Sequence, residues 1–228
     1  MGYEVIDLSQ EIFTGAPHWP EHPDTRVNPI AWHRGGSPRA MYLHMCDHAP
    51  THTDAISHVD ERPAAPTIDA IPLGSFVTRG IALDFTGMVP ARAEISLGLL
   101  RRQLGQTHLI PPRGGTVLIT AGHHRRTYPG PGYMSEFPGL SGEAADYLYR
   151  ECGVLNIGQD APSVDAAVNV YRDEFPCHDL CRELQRVNSE NLASIEDVAG
   201  REFLYLGLPL RIRAGTGSPV RAAAVLDL

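Results

Sequence analysis

The chain has no apolar run of about 18 residues, the length a membrane-spanning helix needs, so no membrane span is expected. Its opening Met-Gly-Tyr-Glu-Val-Ile lacks a basic region followed by an apolar stretch, so no secretory signal is expected either. Ile6 stands where a myristoylation signal needs Ser or Thr. Cysteine is scarce. Cys46, Cys152, Cys177 and Cys181 lack the spacing of a disulfide framework, and a cytoplasmic protein with reduced thiols is the expectation. Positive charge is in deficit: 19 Lys and Arg against 27 Asp and Glu give a net charge of -8, which argues against nucleic acid as a partner. There is no internal repeat, low-complexity tract or evident linker, so one domain spanning 1–228 is expected. With 43% apolar and 20% charged residues, the composition suits an ordinary globular core.

What the chain does have is concentrated between His44 and Asp60. This stretch reads His-Met-Cys-Asp-His-Ala-Pro-Thr-His-Thr-Asp-Ala-Ile-Ser-His-Val-Asp, and holds four of the eleven histidines. His48, His52, Asp54 and His58 share one parity, so an extended segment would carry them on one face. A helix could also join His48 and His52, but Pro50 lies between them and an interior proline costs a helix about 3 kcal/mol. An extended or loop-like segment is therefore expected. Imidazole and carboxylate are ligands for zinc, manganese or iron. A polar loop with clustered histidines is the plainer alternative, and four such side chains on one face weigh against it. A thiolate site is disfavoured, since only Cys46 lies nearby.

His48-Ala49-Pro50-Thr51-His52-Thr53-Asp54-Ala55-Ile56-Ser57-His58 resembles the His-x-Gly-Thr-His-x-Asp-x-Pro-x-His signature of the metal-dependent cyclase family, to which bacterial kynurenine formamidase and isatin hydrolase belong. Pro50 and Ile56 replace the family's Gly and Pro, while every metal-competent residue is present. The resemblance extends from Asp7-Leu8-Ser9 through Gln159-Asp160-Ala161-Pro162-Ser163-Val164-Asp165, a segment that in the family helps shape the site, to Gly215-Thr216-Gly217-Ser218-Pro219-Val220-Arg221-Ala222-Ala223-Ala224, nearly the whole chain. It implies an α/β class with the swivelling β/β/α fold of the family, assembled as a homodimer or homotetramer. It also pairs His178 with Glu190, twelve residues on and followed by Asn191-Leu192, as the remaining metal ligands. The implied ligand set is His48, His52, Asp54, His178 and Glu190, for one or two Zn2+ ions or Mn2+. His58 is implied to be the catalytic general acid/base, and an imidazole with a reference pKa of about 6.5 suits both directions of transfer. The alternative role for His58 is to orient a ligand.

Two further positions are candidates for substrate contact. Trp19 lies in Gly15-Ala16-Pro17-His18-Trp19-Pro20-Glu21-His22-Pro23, too rich in proline for regular structure. Composition leaves it a surface plug or a ligand contact, and the resemblance tilts it toward the substrate. His123 follows the apolar run Thr116–Thr120. It belongs either to a solvated basic loop or to a pocket wall at a strand's carboxyl end.

Strands are expected within 3–13, over 26–33 and 39–46 as a hairpin with a turn at 34–38, and at 80–85, 116–120, 154–158 and 203–210. Helices are expected at 94–104, from Ser141 to Glu151, and at 178–187. His33 and His44 are expected to be ordinary surface histidines or supports of the site rather than ligands, and Cys177 and Cys181 small core residues rather than half of a zinc knot. The function implied is metal-dependent hydrolysis of a small-molecule amide, an aryl formamide or cyclic aryl amide. A metal-dependent cyclase or dehydratase acting on a natural-product intermediate is the alternative, and a metal-binding protein without turnover the third reading. His58 beside the ligands favours an enzyme.

Overall fold

The structure, a computed structural model, describes residues 2–31 and 38–227. His33 and most of the turn expected at 34–38 lie outside the described residues. Among those described, the strands are β1 (Glu4–Asp7), β2 (Arg26–Ala31), β3 (Ala40–His44), β4 (His52–Asp54), β5 (Val77–Asp84), β6 (Glu94–Ile95), β7 (Thr116–Thr120), β8 (Gly139–Leu140), β9 (Asn156–Gln159), β10 (Val187–Glu190), β11 (Glu202–Leu206), β12 (Gly217–Pro219) and β13 (Ala223–Leu226). The helices are α1 (Leu97–Thr107), α2 (His123–Thr127), α3 (Gly142–Asp146), α4 (Ala167–Val170) and α5 (Pro176–Leu184). None is long and apolar enough to cross a membrane.

Nine strands form one mixed sheet in the order β1-β13-β11-β5-β7-β9-β10-β4-β12. The four central strands, β5, β7, β9 and β10, are parallel, and the outer pairings are antiparallel. Parallel strands covered on both faces should read as continuous apolar runs, and Thr116-Val117-Leu118-Ile119-Thr120 does. Val117 and Ile119, with Ile81 and Leu83, meet Leu100, Leu148 and Cys177 on one face. Leu118 and Ala82 meet Leu8, Leu192, Phe203 and Tyr205 on the other. The two-residue alternation of a strand thus supplies two cores from one sheet. The class is mixed α and β, as expected.

Several boundaries moved. Glu94-Ile95 opens as a strand parallel to β8, and the helix starts only after Ser96, whose hydroxyl accepts the Leu99 N–H. Ser141 caps α3 as expected, but the helix loosens into a π turn over Tyr147–Glu151. The histidine-rich stretch is extended only at β4. Its continuation, Ile56–His58, is a 3-10 turn because Ala55 and Ile56 are buried against Ile68, Ile71, Phe76 and Val187. That anchor pulls the chain out of the sheet directly after Asp54.

β4 lies between β10 and β12. Its register sets His52 opposite Glu190 and Asp54 opposite Gly217. Directly opposed residues on antiparallel strands place their Cβ atoms about 4.5–5.5 Å apart. The sheet therefore joins two segments separated by more than 130 residues of chain.

Candidate metal centre and cavity

His52 and Asp54 project from the same face of β4, and Glu190 projects from β10 beside them. His178 reaches them from the first turn of α5, which opens with Pro176 at its preferred place near the helix start. His52 Nε2 stands 3.4 Å from Asp54 Oδ1 and 3.6 Å from Glu190 Oε2. His178 Nε2 stands 3.6 Å from Asp54 Oδ2 and 3.5 Å from Glu190 Oε1. Zinc bonds of about 2.0–2.2 Å in tetrahedral array put ligand atoms roughly 3.3–3.6 Å apart, which matches each of these pairs, the two imidazoles facing opposite oxygens of both carboxylates. All four residues are buried, and Asp54 Oδ2 has no hydrogen-bond partner. A buried carboxylate oxygen left without a proton donor is what a bound cation would explain.

The far nitrogens of both imidazoles are already committed. His52 Nδ1 donates to the Pro50 carbonyl at 2.9 Å. His178 Nδ1 donates to Asp165 Oδ2 at 2.5 Å. Each bond leaves Nε2 as the free lone pair, and partners of this kind fix the orientation of metal-ligating histidines. Asp165 also accepts the backbone N–H groups of Cys177 and His178, so one carboxylate caps α5 and aims its histidine.

His48 comes from the turn before β4. The Thr216 hydroxyl donates to Asp47 Oδ2 at 3.1 Å and thus accepts from His48 Nε2 at 3.0 Å. His48 Nδ1 is left facing Asp54 Oδ1 at 2.8 Å. Two lone pairs would repel at that distance unless a proton or a metal ion stands between them. Gly217 gives the ring its room: a Cβ there would lie 2.6 Å from His48 Cε1. Ligand atoms of His48, Asp54 and His58 lie within 4.8 Å of one another, as do those of His52, Asp54 and Glu190. Asp54 is common to both groups.

Burial lowers the His52 pKa, but the Asp54 and Glu190 carboxylates outweigh it and raise it to about 10. His178 follows the same logic: burial opposes its charge, while Asp165 and Asp54 hold its pKa well above the ordinary value. Burial pushes Asp54 up, yet the surrounding imidazoles bring it well below the carboxylate range. Glu190 is raised, first by burial and then by the charge of Asp54. Protons and a cation compete for the same lone pairs here. His58 differs. Part of the residue is open to solvent, yet protein crowds its ring, whose centroid is 4.1 Å from that of His48. Burial pushes its pKa down, Asp54 pulls it up, and the neighbouring imidazoles take it down to about 4.

A cavity of about 400 Å³ opens above this floor. His48, His52, His58, His178 and Glu190 line it, with Trp19, Met134, Val170 and Phe175 as apolar walls. Trp19 packs on the cluster of Phe137, Ala161, Ala167 and Val170. His123 does not reach the cavity. It is fully buried, stacked on Tyr133 with centroids 5.1 Å apart, and its Nε2 meets the Tyr133 carbonyl at 2.8 Å. The expected solvated loop or pocket wall is instead the short helix α2, whose first N–H groups are held by the buried Asp160, and this turns His123 inward. Sequence reasoning did not single out Asp165, Thr216, His22 or Arg182. Asp165 ends the run 159–165, which taken alone reads as a polar loop after a strand and which the resemblance assigns to shaping the site.

The sequence profile of the Cyclase family matches residues 6–166. The kynurenine formamidase of Salinibacter ruber (strain DSM 13855 / M31) is 26% identical over 220 residues, covering 96% of this chain and 95% of that protein. Isatin hydrolase A from Labrenzia aggregata, bound to benzyl benzoate, superposes with a TM-score of 0.89 at 23% identity, covering 99% of this chain and 94% of the other. A predicted metal-dependent hydrolase from Bacillus stearothermophilus superposes with a TM-score of 0.76 at 21% identity over the whole of both chains. These superpositions show a shared fold.

Proposed function

The chain belongs to the Cyclase family, and on that premise we propose that it is a metal-dependent hydrolase of a small aryl amide, either an N-formyl aryl amine or a cyclic aryl amide. One observation carries the reading: the Nε2 atoms of His52 and His178 each stand 3.4–3.6 Å from oxygens of both Asp54 and Glu190, buried at the floor of a cavity with aromatic walls. The formamidase and isatin hydrolase likenesses support the amide as the bond attacked.

His48, His52, Asp54, His178 and Glu190 would hold the ion, Zn2+ or Mn2+. Asp54, common to both donor groups, would be shared if two ions bind. A divalent ion bound there supplies Lewis acidity to a carbonyl and acidity to a water. The remaining chemistry belongs to the chain. His58 sits at the cavity side of the cluster, where a neutral imidazole nitrogen accepts a proton from water and returns it to the leaving nitrogen. Its low affinity for a proton in this pocket keeps it in the accepting form at neutral pH. Trp19 and Phe175 offer flat surfaces to an aryl ring and exclude water from it.

The test is metal analysis of the purified protein, followed by assays on N-formylkynurenine and isatin after zinc or manganese loading. Hydrolysis of one of them, abolished by chelation and restored by the ion, is expected. Full activity in metal-free protein, or none on any aryl amide after loading, would overturn the reading.

A further inference from the structure

The sequence contains no lysine, so arginine is its only permanently charged side chain of positive sign. Among the described residues, Arg182 alone of the arginines lines the cavity above the cluster. It stands four residues after His178 on α5, and side chains four apart share a helix face. The helical rise separates their backbones by about 6 Å along the axis. A second hollow, lined by Ser57, Glu61, Arg62 and Glu183, meets the cavity at His58, Val59, Asp179 and Arg182. Arg182 thus stands at the junction of the two, where an arm of a substrate would leave the aromatic pocket.

We propose that Arg182 recognises a carboxylate on an arm of the substrate, one helical turn from the scissile amide, and thereby sets specificity; this rests on the amide-hydrolase reading above. The charges around it support the assignment. Glu183 is paired with Arg150 at 2.8 Å and Arg62 is taken up by Asp60, while Glu61 and Asp179 would repel an anion at this mouth. Arg182 is the group left to attract one. It contacts Asp179 at 2.7 Å, with the two side chains 51% and 61% exposed. An exposed pair of this kind contributes about 0–1 kcal/mol, so it orients the guanidinium without satisfying it. A guanidinium has five N–H donors in a planar fork, and the rest remain for a carboxylate. A plain surface pair has the same i, i+3 geometry, but it does not line the passage between a buried polar cluster and solvent.

The experiment compares two aryl formamides that differ in the arm: N-formylkynurenine, with its carboxylate, and N-formyl-2-aminoacetophenone, without it. In metal-loaded protein, Arg182→Ala should raise KM for the first about 10- to 100-fold, the range for a hydrogen bond to a charged group, with kcat little changed. The second substrate should be unaffected, and Arg182→Lys should recover part of the loss. Equal losses on both substrates, or no loss on either, would overturn the assignment. If the wild-type protein hydrolyses neither of these nor isatin, the amide-hydrolase reading falls by itself. Calorimetry with L-kynurenine and 2-aminoacetophenone then still decides the role of Arg182. Binding of L-kynurenine that Arg182→Ala weakens selectively supports it; no binding, or binding the substitution leaves unmoved, removes it.

Discussion

The floor of the cavity and its walls are held by different means. On the floor, His52 and Glu190 oppose each other across two paired strands, and the outer nitrogens of His52 and His178 are fixed by hydrogen bonds. The walls are a proline-rich loop carrying Trp19 and the exposed start and end of α5, where Phe175 and Arg182 sit. Floor atoms are fixed by directional bonds to partners that are themselves buried. Wall atoms are fixed by packing and a few exposed contacts. Changes on the floor should therefore alter metal binding and the chemical step, while changes in the walls should alter affinity and choice of substrate.

The sharpest way to break that division is within the floor. His52→Ala removes a proposed ligand and leaves Asp54 and Glu190 facing each other in a buried site, so metal and turnover should be lost together. His58→Ala should leave the metal in place and lower turnover by about 10²–10⁴, the range for a general acid/base. Metal content and kcat measured on both variants test the pair. A metal-free His58→Ala protein would make His58 a ligand, in keeping with its place in the trio with His48 and Asp54.

A smaller effect is expected one bond farther out. Asp165→Asn keeps the shape of the side chain but cannot accept from the Cys177 and His178 N–H groups and from the ring of His178 together. Loss of such a partner lowers metal affinity by about 10- to 100-fold. Competition against a chelator of known affinity measures this directly. An unchanged dissociation constant would mean that the strands and the start of α5 position His178 without help.

This floor was partly legible in the sequence, and the reasons differ from residue to residue. Four of its candidates stand in one 17-residue stretch, so their type and density could be read directly. Shared parity, however, explains only His52 and Asp54; His48 arrives from a turn and His58 from a 3-10 turn. His178 and Glu190 were accessible only through resemblance, because the antiparallel pairing of β4 with β10 is a long-range register that no local pattern encodes. Of the central strands, β7 and the end of β5 were legible as apolar runs buried on both faces, whereas β10, Val187-Asn188-Ser189-Glu190, is polar and was not expected as a strand. His123 was misplaced for the converse reason. Its charged neighbours suggested solvent, whereas a buried carboxylate, Asp160, gathers the N–H groups of that turn and draws the ring inside.

The walls provide the mildest test, at Trp19. Pro17 and Pro20 bracket it, and prolines restrict the unfolded chain, so the loop is held at low entropic cost. One side of the indole packs on Val170 and its neighbours, and the residue borders the cavity as well. A ring placed this way can stack on an aromatic substrate but carries no proton to or from it. Its contribution should be nearly equal in the bound substrate and the transition state, which is the pattern of a KM effect. Trp19→Ala should cost about 1–2 kcal/mol in kcat/KM for an aryl amide, chiefly through KM. An aliphatic amide presents no ring to stack and should be nearly indifferent. Steady-state kinetics on one aryl and one aliphatic formamide, with metal content measured alongside, separates the possibilities. Equal loss on both substrates with metal retained would mean that the indole supports the loop rather than the ligand. Equal loss with metal depleted would join Trp19 to the floor and erase the division between the two parts of the cavity.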